Sequence, residues 1–315
     1  MQLLAMDIGG TYSRLAHCQV DDREHYRVLS TCTFATPTQA TDGLGTLLAL
    51  LADNKPGDFL LPHEYDALAL AIAGPVTGRA ATPPNINWAL DLADYTDLPT
   101  SFLLNDFAAQ GYALAQPAQL QQCQRIRDCD PVSAPVAIIG AGSGLGHCLL
   151  IPTAGTFNVL PSEAGQAGFV FNADEQELEA FFLKRVQQDY VTNDQVVSGP
   201  GLQTLHTALT GHDIDAAGIC AEPDKNKNTL RLFSRFYGRA CRQYCLSSLA
   251  RGGLIISGGL AARNPELIRS NEFLAEFEAS PTHRSLLETI PISLNTDQDL
   301  GLTGIILYAL SRYYS

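Results

Sequence analysis

The hydrophobic positions fall into short runs broken by glycine, and their period changes along the chain. Residues 2–8, QLLAMDI, form an apolar run that suits a strand buried on both faces. A GGT turn follows, and SRLAHCQV (13–20) reads as a second strand. After RVLSTCTF comes a helix, predicted from the helical spacing of Leu44, Leu47, Leu48 and Leu51. Strand character returns in DALALAI (66–72), which stops at Gly74-Pro75, and again in SFLLN (101–105), which leads into the helix-like DFAAQGYALAQ.

The pattern then restarts. PVAIIG (135–140) reads as a buried strand, GAGSGLG as a glycine turn and HCLLIP as another strand. Helices are predicted at about 174–188 and 229–250, followed by a buried strand LIIS (254–257). TIPIS reads as a further strand, DLGLTG as a turn and IILYALSRYY as a terminal helix. Two halves that each open with strand, glycine turn and strand suggest a duplicated α/β unit, although the halves are too dissimilar to form a sequence repeat. No linker or low-complexity stretch separates them.

Charge narrows the partners. With 33 acidic against 20 basic residues the formal net charge is −13, which argues against a nucleic-acid partner because phosphates need basic surface. A nucleotide is not excluded, since backbone amides and a divalent metal hold phosphates without many lysines. The eight cysteines form no C-x-x-C pair, so a zinc ribbon is not expected, and Cys241 and Cys245 read as small core residues on one helix face. The opening MQLLAMD lacks a basic signal-peptide region, and no run reaches the length of a membrane span. A cytoplasmic, reduced protein is the expectation.

The two glycine turns, Gly9-Gly10-Thr11 and Gly140 to Gly146, are the candidate chemistry. Glycine allows close approach of a ligand, and successive exposed amides make an anion-binding concavity; a plain hairpin turn is the alternative for either one alone. None of the lysines at 55, 184, 225 and 227 sits in a P-loop. The GAGSGLG spacing runs into a strand, not a helix, which disfavours a dinucleotide fingerprint. Strand–turn–strand elements from two halves fit a nucleotide held in a cleft between two α/β lobes. Asp7 closes a buried strand beside the first turn, where a carboxylate can orient magnesium through water or simply form the turn.

Taken together the motifs resemble those of the hexokinase–actin–heat-shock superfamily. MDIGGTYSR resembles its first phosphate motif, IIGAGSGLG its second and LIISGGLAAR its adenosine motif. With AIAGPVTGR, LLNDF, LPSEAGQAGF, VVSGPGL and DLGLTG in order over essentially the whole chain, the sequence is similar to bacterial glucokinases of the non-zinc group. No cysteine cluster follows Glu163, so the zinc-bearing kinase branch is not expected. The resemblance implies a two-lobed ribonuclease-H-like or actin-like ATPase fold with duplicated α/β domains and a central cleft. It places residues 1–105 and 301–315 in a small domain and 106–300 in a large one.

The resemblance also implies roles. Asp106 would be the catalytic base, its alternative being a helix N-cap. Asn105, Asp106 and Glu163 would contact the sugar, and Asn87 lies in a segment that lines the sugar pocket in relatives, or is a plain turn residue. Asp7, Gly9, Gly10, Thr11, Arg14, Gly140, Gly142, Ser143, Gly144, Gly258 and Gly259 would hold ATP, with Asp7 serving Mg2+ through water. Two sugar positions depart from the family pattern: Gln166 replaces a histidine and Asp194 a glutamate. Glutamine cannot carry charge and aspartate reaches one methylene less, so the identity of the hexose is open.

The expected activity is transfer of the ATP γ-phosphoryl group to the 6-hydroxyl of glucose. A kinase for mannose, fructose or an N-acetylhexosamine is the alternative within the class. A sugar-sensing repressor on the same fold would need an N-terminal helix-turn-helix, where the first phosphate strand already begins. A catalytically inactive sugar-binding or assembly protein would have less use for Asp7, both glycine turns and Asp106. Relatives are commonly homodimers, and a homodimer is what the resemblance implies. His147, near the second turn, acquires no role.

Overall fold

In the computed structural model residues 1–54, 56–130 and 132–314 are described. Lys55, counted above among the lysines outside a P-loop, Pro131, and Ser315 at the end of the expected small domain lie outside them. The chain divides into two compact units, Met1–Leu120 with Gln298–Ser315, and Gln121–Asp297. Among the described residues no helix is long and apolar enough to cross a membrane.

Unit 1 is built on the strands β1 (Gln2–Ile8), β2 (Tyr12–Val20), β3 (Tyr26–Ala35) and β4 (Ala67–Ile72). Three two-residue strands, β5 (Val76–Thr77), β6 (Ala80–Ala81) and β7 (Leu90–Asp91), form a small separate sheet, and β8 (Thr100–Asn105) completes the main one. The main sheet runs β3-β2-β1-β4-β8, with β1–β2–β3 antiparallel and β4 and β8 added in parallel. Its two faces differ in side-chain size, as the period of two in a strand allows. Leu4, Met6, Ile8, Leu68, Leu70 and Ile72 face the helix α1 (Leu44–Asn54), which buries Leu44, Leu47, Leu48 and Leu51 as predicted.

Leu3, Ala5, Ala67, Ala69 and Ala71 face the other way, toward the C-terminal helix Leu300–Tyr313 and its Ile305, Ile306 and Ala309. The alanines keep that face shallow, so the helix packs close. Helix α2 (Asp106–Leu114) lies beside it, and any side chain at Gly304 would overlap the Ala109 carbonyl. This packing keeps α2 in unit 1, beyond the domain boundary expected at residue 105. It also corrects the turn predicted for DLGLTG: from Leu300 onward that motif is the first part of the helix, and its glycines are the points of closest approach.

Unit 2 repeats the plan. Strands β9 (Gln124–Arg127), β10 (Val136–Ala141), β11 (Leu145–Thr153), β12 (Thr156–Ser162), β13 (Gly253–Ser257) and β14 (Ile292–Leu294) form one sheet in the order β12-β11-β10-β13-β14-β9. Its helices include α3 (Asn193–Val196), α4 (Gly199–Thr210), α5 (Lys227–Ser248), α6 (Gly259–Arg263) and α7 (Asn271–Glu278). Of these α5 is the long amphipathic helix read from the sequence, and Cys241 and Cys245 are in its buried face. The fully buried Arg239 of α5 is bound by the carboxylates of Glu175 and of Glu276 on α7. Its charge is thus paired inside the core, where an unpaired one would cost several kcal/mol (~3–5).

Candidate active site

Each unit carries one group of the residues singled out above. In unit 1, Asp7 is the last residue but one of β1, opposite Arg14 on β2 and beside Ala71 on β4. The strand alternation that turns Met6 and Ile8 toward α1 turns Asp7 to the alanine face, where the C-terminal helix begins. A side-chain carbon on Gly301 would lie 2.6 Å from Asp7 Oδ2. Burial raises the Asp7 carboxyl to about 6; Arg14 pulls it down, and Asp299 pushes it up. Arg14 Nε stands 3.6 Å from Asp299 Oδ1, so a second carboxylate joins this corner.

Asp299 was missed in the sequence. It stands at the start of the DLGLTG motif, and a turn there would not bring it to β1; the C-terminal helix, which begins at Leu300, does. Beside this corner the first glycine turn closes with the Gly9 amide donating to the Tyr12 carbonyl at 3.0 Å. Gly10, Thr36, Pro37, Asn85, Ile86 and Asn87 line a cavity of about 250 Å³. The fold thus brings exposed Asn87 next to the first glycine turn.

Asn105 and Asp106 sit where β8 ends and α2 begins. Asn105, not Asp106, is the N-cap: its Oδ1 accepts from the Ala108 amide at 2.9 Å. Its Nδ2 donates to the Gly74 carbonyl at 3.0 Å and to Asp106 Oδ1 at 3.1 Å. The Phe107 amide also donates to Asp106 Oδ1, at 2.9 Å. Asp106 is therefore a carboxylate in the first turn of a helix, where the helix dipole favours negative charge. Asn105 is also linked, through Gly74, to the loop that carries Asn87. The Gly74 turn that it holds has a left-handed backbone, φ +87°, and packs on Pro83 and Pro84, just ahead of Asn87.

In unit 2 the second glycine turn joins β10 to β11. Gly140 pairs with Gly146 and Ala141 with Leu145, and the Gly142 amide donates to the Gly144 carbonyl at 2.7 Å. Ser143 at its tip is exposed. Gly258, at the end of β13, has φ +84°, and a side-chain carbon there would lie 2.6 Å from the Ala141 carbonyl oxygen. Glycine is therefore required where α6, beginning at Gly259, comes up against the turn.

Glu163 precedes, and Gln166 ends, a single helical turn that follows β12, and both are exposed. Burial raises the Glu163 carboxyl, and the nearby Asp194 carboxylate raises it further. Asp194, on α3, is also raised by burial, while the Leu145 amide that it accepts from, at 2.6 Å, lowers it. The fold therefore gathers Glu163 and Asp194 beside the second glycine turn. His147 is a core residue, 2 % exposed, with its ring edge-on to Tyr244 at 4.5 Å between centroids. Burial pushes its imidazole down to about 3.

This mixed α/β fold is similar to that of sugar kinases of known structure. A glucokinase from Balamuthia mandrillaris, crystallised with glucose, superposes with a TM-score of 0.82 at 21% identity over 98% of this chain and 93% of that one. A glucokinase from an Antarctic psychrotroph does so with a TM-score of 0.74 at 24% identity over 98% of both. In sequence the chain is 31% identical to a glucokinase from Trichormus variabilis over 79% of this chain and 83% of that one. It is 29% identical to a glucokinase from Nostoc punctiforme over 98% of each. The glucokinase family model matches residues 4–312, and the chain belongs to that family of hexose kinases.

Proposed function

We propose that the protein transfers the γ-phosphoryl group of ATP to the 6-hydroxyl of glucose, with Asp106 as general base. The observation that carries this reading is at the β8–α2 junction, within a family match over nearly the whole chain. Asn105 takes the capping role there, and the Asp106 carboxylate is oriented by the Phe107 amide and the Asn105 amide group. Phosphoryl transfer asks mainly for positioning and charge neutralisation, with one group to take the hydroxyl proton. In this reading Asp106 takes it. Asn105, Asn87, Glu163, Gln166 and Asp194 hold sugar hydroxyls.

The two glycine turns would present amides to the phosphates, with Thr11, Arg14 and Ser143 beside them and Gly258-Gly259 toward the adenosine. Magnesium is part of the proposal, and the residues present fit it: Asp7 and Asp299 offer hard oxygen donors at one corner, and Asp7 is raised by burial and by its neighbour. When bound, the ion would neutralise phosphate charge; the protein's part is to hold Asp7 between Gly301 and Arg14. The two units as lobes of an actin-like ATPase fold, a cytoplasmic location, a place in glycolysis and a homodimer belong to the same proposal and rest on the resemblance.

One observation favours a second sugar. Asp194 already commits one oxygen to the Leu145 amide, and Gln166 is neutral, so the hydroxyl pattern accepted here can differ from that of glucose. The test is an ADP-release assay with magnesium-ATP against glucose, mannose, fructose and N-acetylhexosamines, beside Asp106→Ala. Glucose turnover that falls at least ~10²-fold in the variant is the expected result. Turnover confined to another hexose would move the specificity, and none with any sugar would leave a binding role.

A further inference from the structure

In unit 2 the backbone of one residue, Leu145, joins the second glycine turn to the segments that carry Glu163 and Asp194. Leu145 opens β11 and closes the second glycine turn, opposite Ala141. Its carbonyl is covered by Gly165, between Glu163 and Gln166, where any side chain would overlap it. Its amide donates to Asp194 Oδ1 at 2.6 Å. Residues adjoining Asp194 extend the same connection. The Asn193 amide donates to the Ala167 carbonyl at 2.9 Å and its side chain to the Ala164 carbonyl at 3.4 Å, both in the Glu163–Ala167 segment. The Gly199 amide, opening α4, donates to the Gly142 carbonyl at 2.8 Å, on the far side of the turn. Residues 193–199 thus fasten the sugar segment at one end and the glycine turn at the other.

We propose that Asp194 is a positioning residue that sets the second glycine turn through the Leu145 amide, and so couples nucleotide affinity to sugar affinity. This rests on the proposed function, since it takes the turn as the phosphate binder and Glu163 as a sugar ligand. The coupling has a simple origin. A sugar that engages Glu163 or Asp194 immobilises residues 163–167 and 193–194. Through Leu145 that ordering fixes the turn amides, so a nucleotide arriving second loses less freedom on binding. Linkage makes the effect reciprocal: the nucleotide must tighten the sugar by the same factor.

Binding rather than turnover is the readout, by calorimetry with magnesium and a non-hydrolysable ATP analogue, with glucose or whichever hexose the enzyme accepts. Each ligand is titrated alone and with the other saturating. Asp194→Ala removes the acceptor for the Leu145 amide and should weaken the nucleotide roughly tenfold with no sugar present, abolishing the coupling. Asp194→Asn keeps an acceptor oxygen; nucleotide affinity should stay within about twofold of wild type, even where the lost charge weakens the sugar.

A role confined to sugar contact predicts a different result: Asp194→Ala with wild-type nucleotide affinity in the absence of sugar. That result overturns the proposal. So does Asp194→Asn with the tenfold nucleotide loss, which needs no companion variant should Asp194→Ala fail to fold. A wild-type chain that binds neither ligand removes the kinase reading, and this inference with it, before any variant is compared.

Discussion

The two units hold the same scaffold and equip it differently. In each, a strand, a glycine turn and two antiparallel strands form one side of the sheet, and two later strands add in parallel on the other, β4 and β8 in one and β13 and β14 in the other; unit 2 has β9 in addition, antiparallel to β14. At matching positions in the first hairpin, unit 1 pairs Asp7 with Arg14, and unit 2 pairs Gly140 with Gly146. A helix approaches the end of the first strand through glycine in both, Gly301 over Asp7 and Gly258 against Ala141. The lesson is a division of labour. Unit 1 presents charged side chains, Asp7, Arg14, Asp299 and Asp106, whereas the turn of unit 2 presents bare backbone, with its carboxylates set behind it.

The packing half of that comparison breaks most severely at Gly304. Gly304→Ala places a methyl group onto the Ala109 carbonyl and should cost roughly 3 kcal/mol or more, because backbone, not a flexible side chain, must move. Denaturant titration would read it as a large fall in midpoint; a loss under about 1 kcal/mol would mean that the C-terminal helix and α2 are not held as described.

The buried histidines sharpen the contrast next. His17 on β2 has both ring nitrogens within 2.7 Å of partners, the Asp58 carbonyl and Gln2 Oε1. His147 on β11 has no hydrogen-bond partner at Nδ1 among the described residues, and its imidazole is pushed down to about 3. A depressed histidine stays neutral in the folded state while the unfolded chain takes up a proton below its ordinary value of 6.5. Its contribution to stability is therefore complete above that value and is lost as pH falls toward 3. Between pH 7 and pH 5 the wild type should lose about 2 kcal/mol more than the non-titrating His147→Gln. Parallel pH dependences in the two proteins would refute it.

The smallest effect is expected at the second turn itself. A side-chain carbon on Gly142 would meet no heavy atom within 4 Å among the described residues, and the backbone there is not left-handed. Gly142→Ala should leave stability within about 0.5 kcal/mol while weakening nucleotide binding, if bare backbone is what the turn offers. Unchanged binding would detach the turn from the phosphates.

Much of this was legible before folding. β1, β4, β10 and β13 were readable because a strand buried on both faces leaves an uninterrupted apolar run, β8 because its short Phe102-Leu103-Leu104 run is apolar, and α5 because its apolar stripe is long. β12 was not, since none of its residues is buried and its exposed positions mix polar and apolar residues such as Asn158, Leu160 and Pro161, so no apolar run or alternation marks it. α4 hid behind the Gly199-Pro200-Gly201 start that looks like a loop, although Ser198 caps it and Gly201 is packed on the Val196 carbonyl.

Sequence by itself determined the order of the motifs, the family, and which residue types stand at the strand ends, because apolar periodicity and glycine placement are local properties. Tertiary structure alone decided their neighbours. It put Asp299 beside Arg14, made Asn105 the cap in place of Asp106, and tied Asp194 to Leu145 across 49 residues. The physical reason is that a carboxylate's partner is set by where distant backbone comes to rest. That depends on small residues such as Gly301, Gly304 and Gly165, whose lack of a side chain shows its purpose only once another segment lies against it.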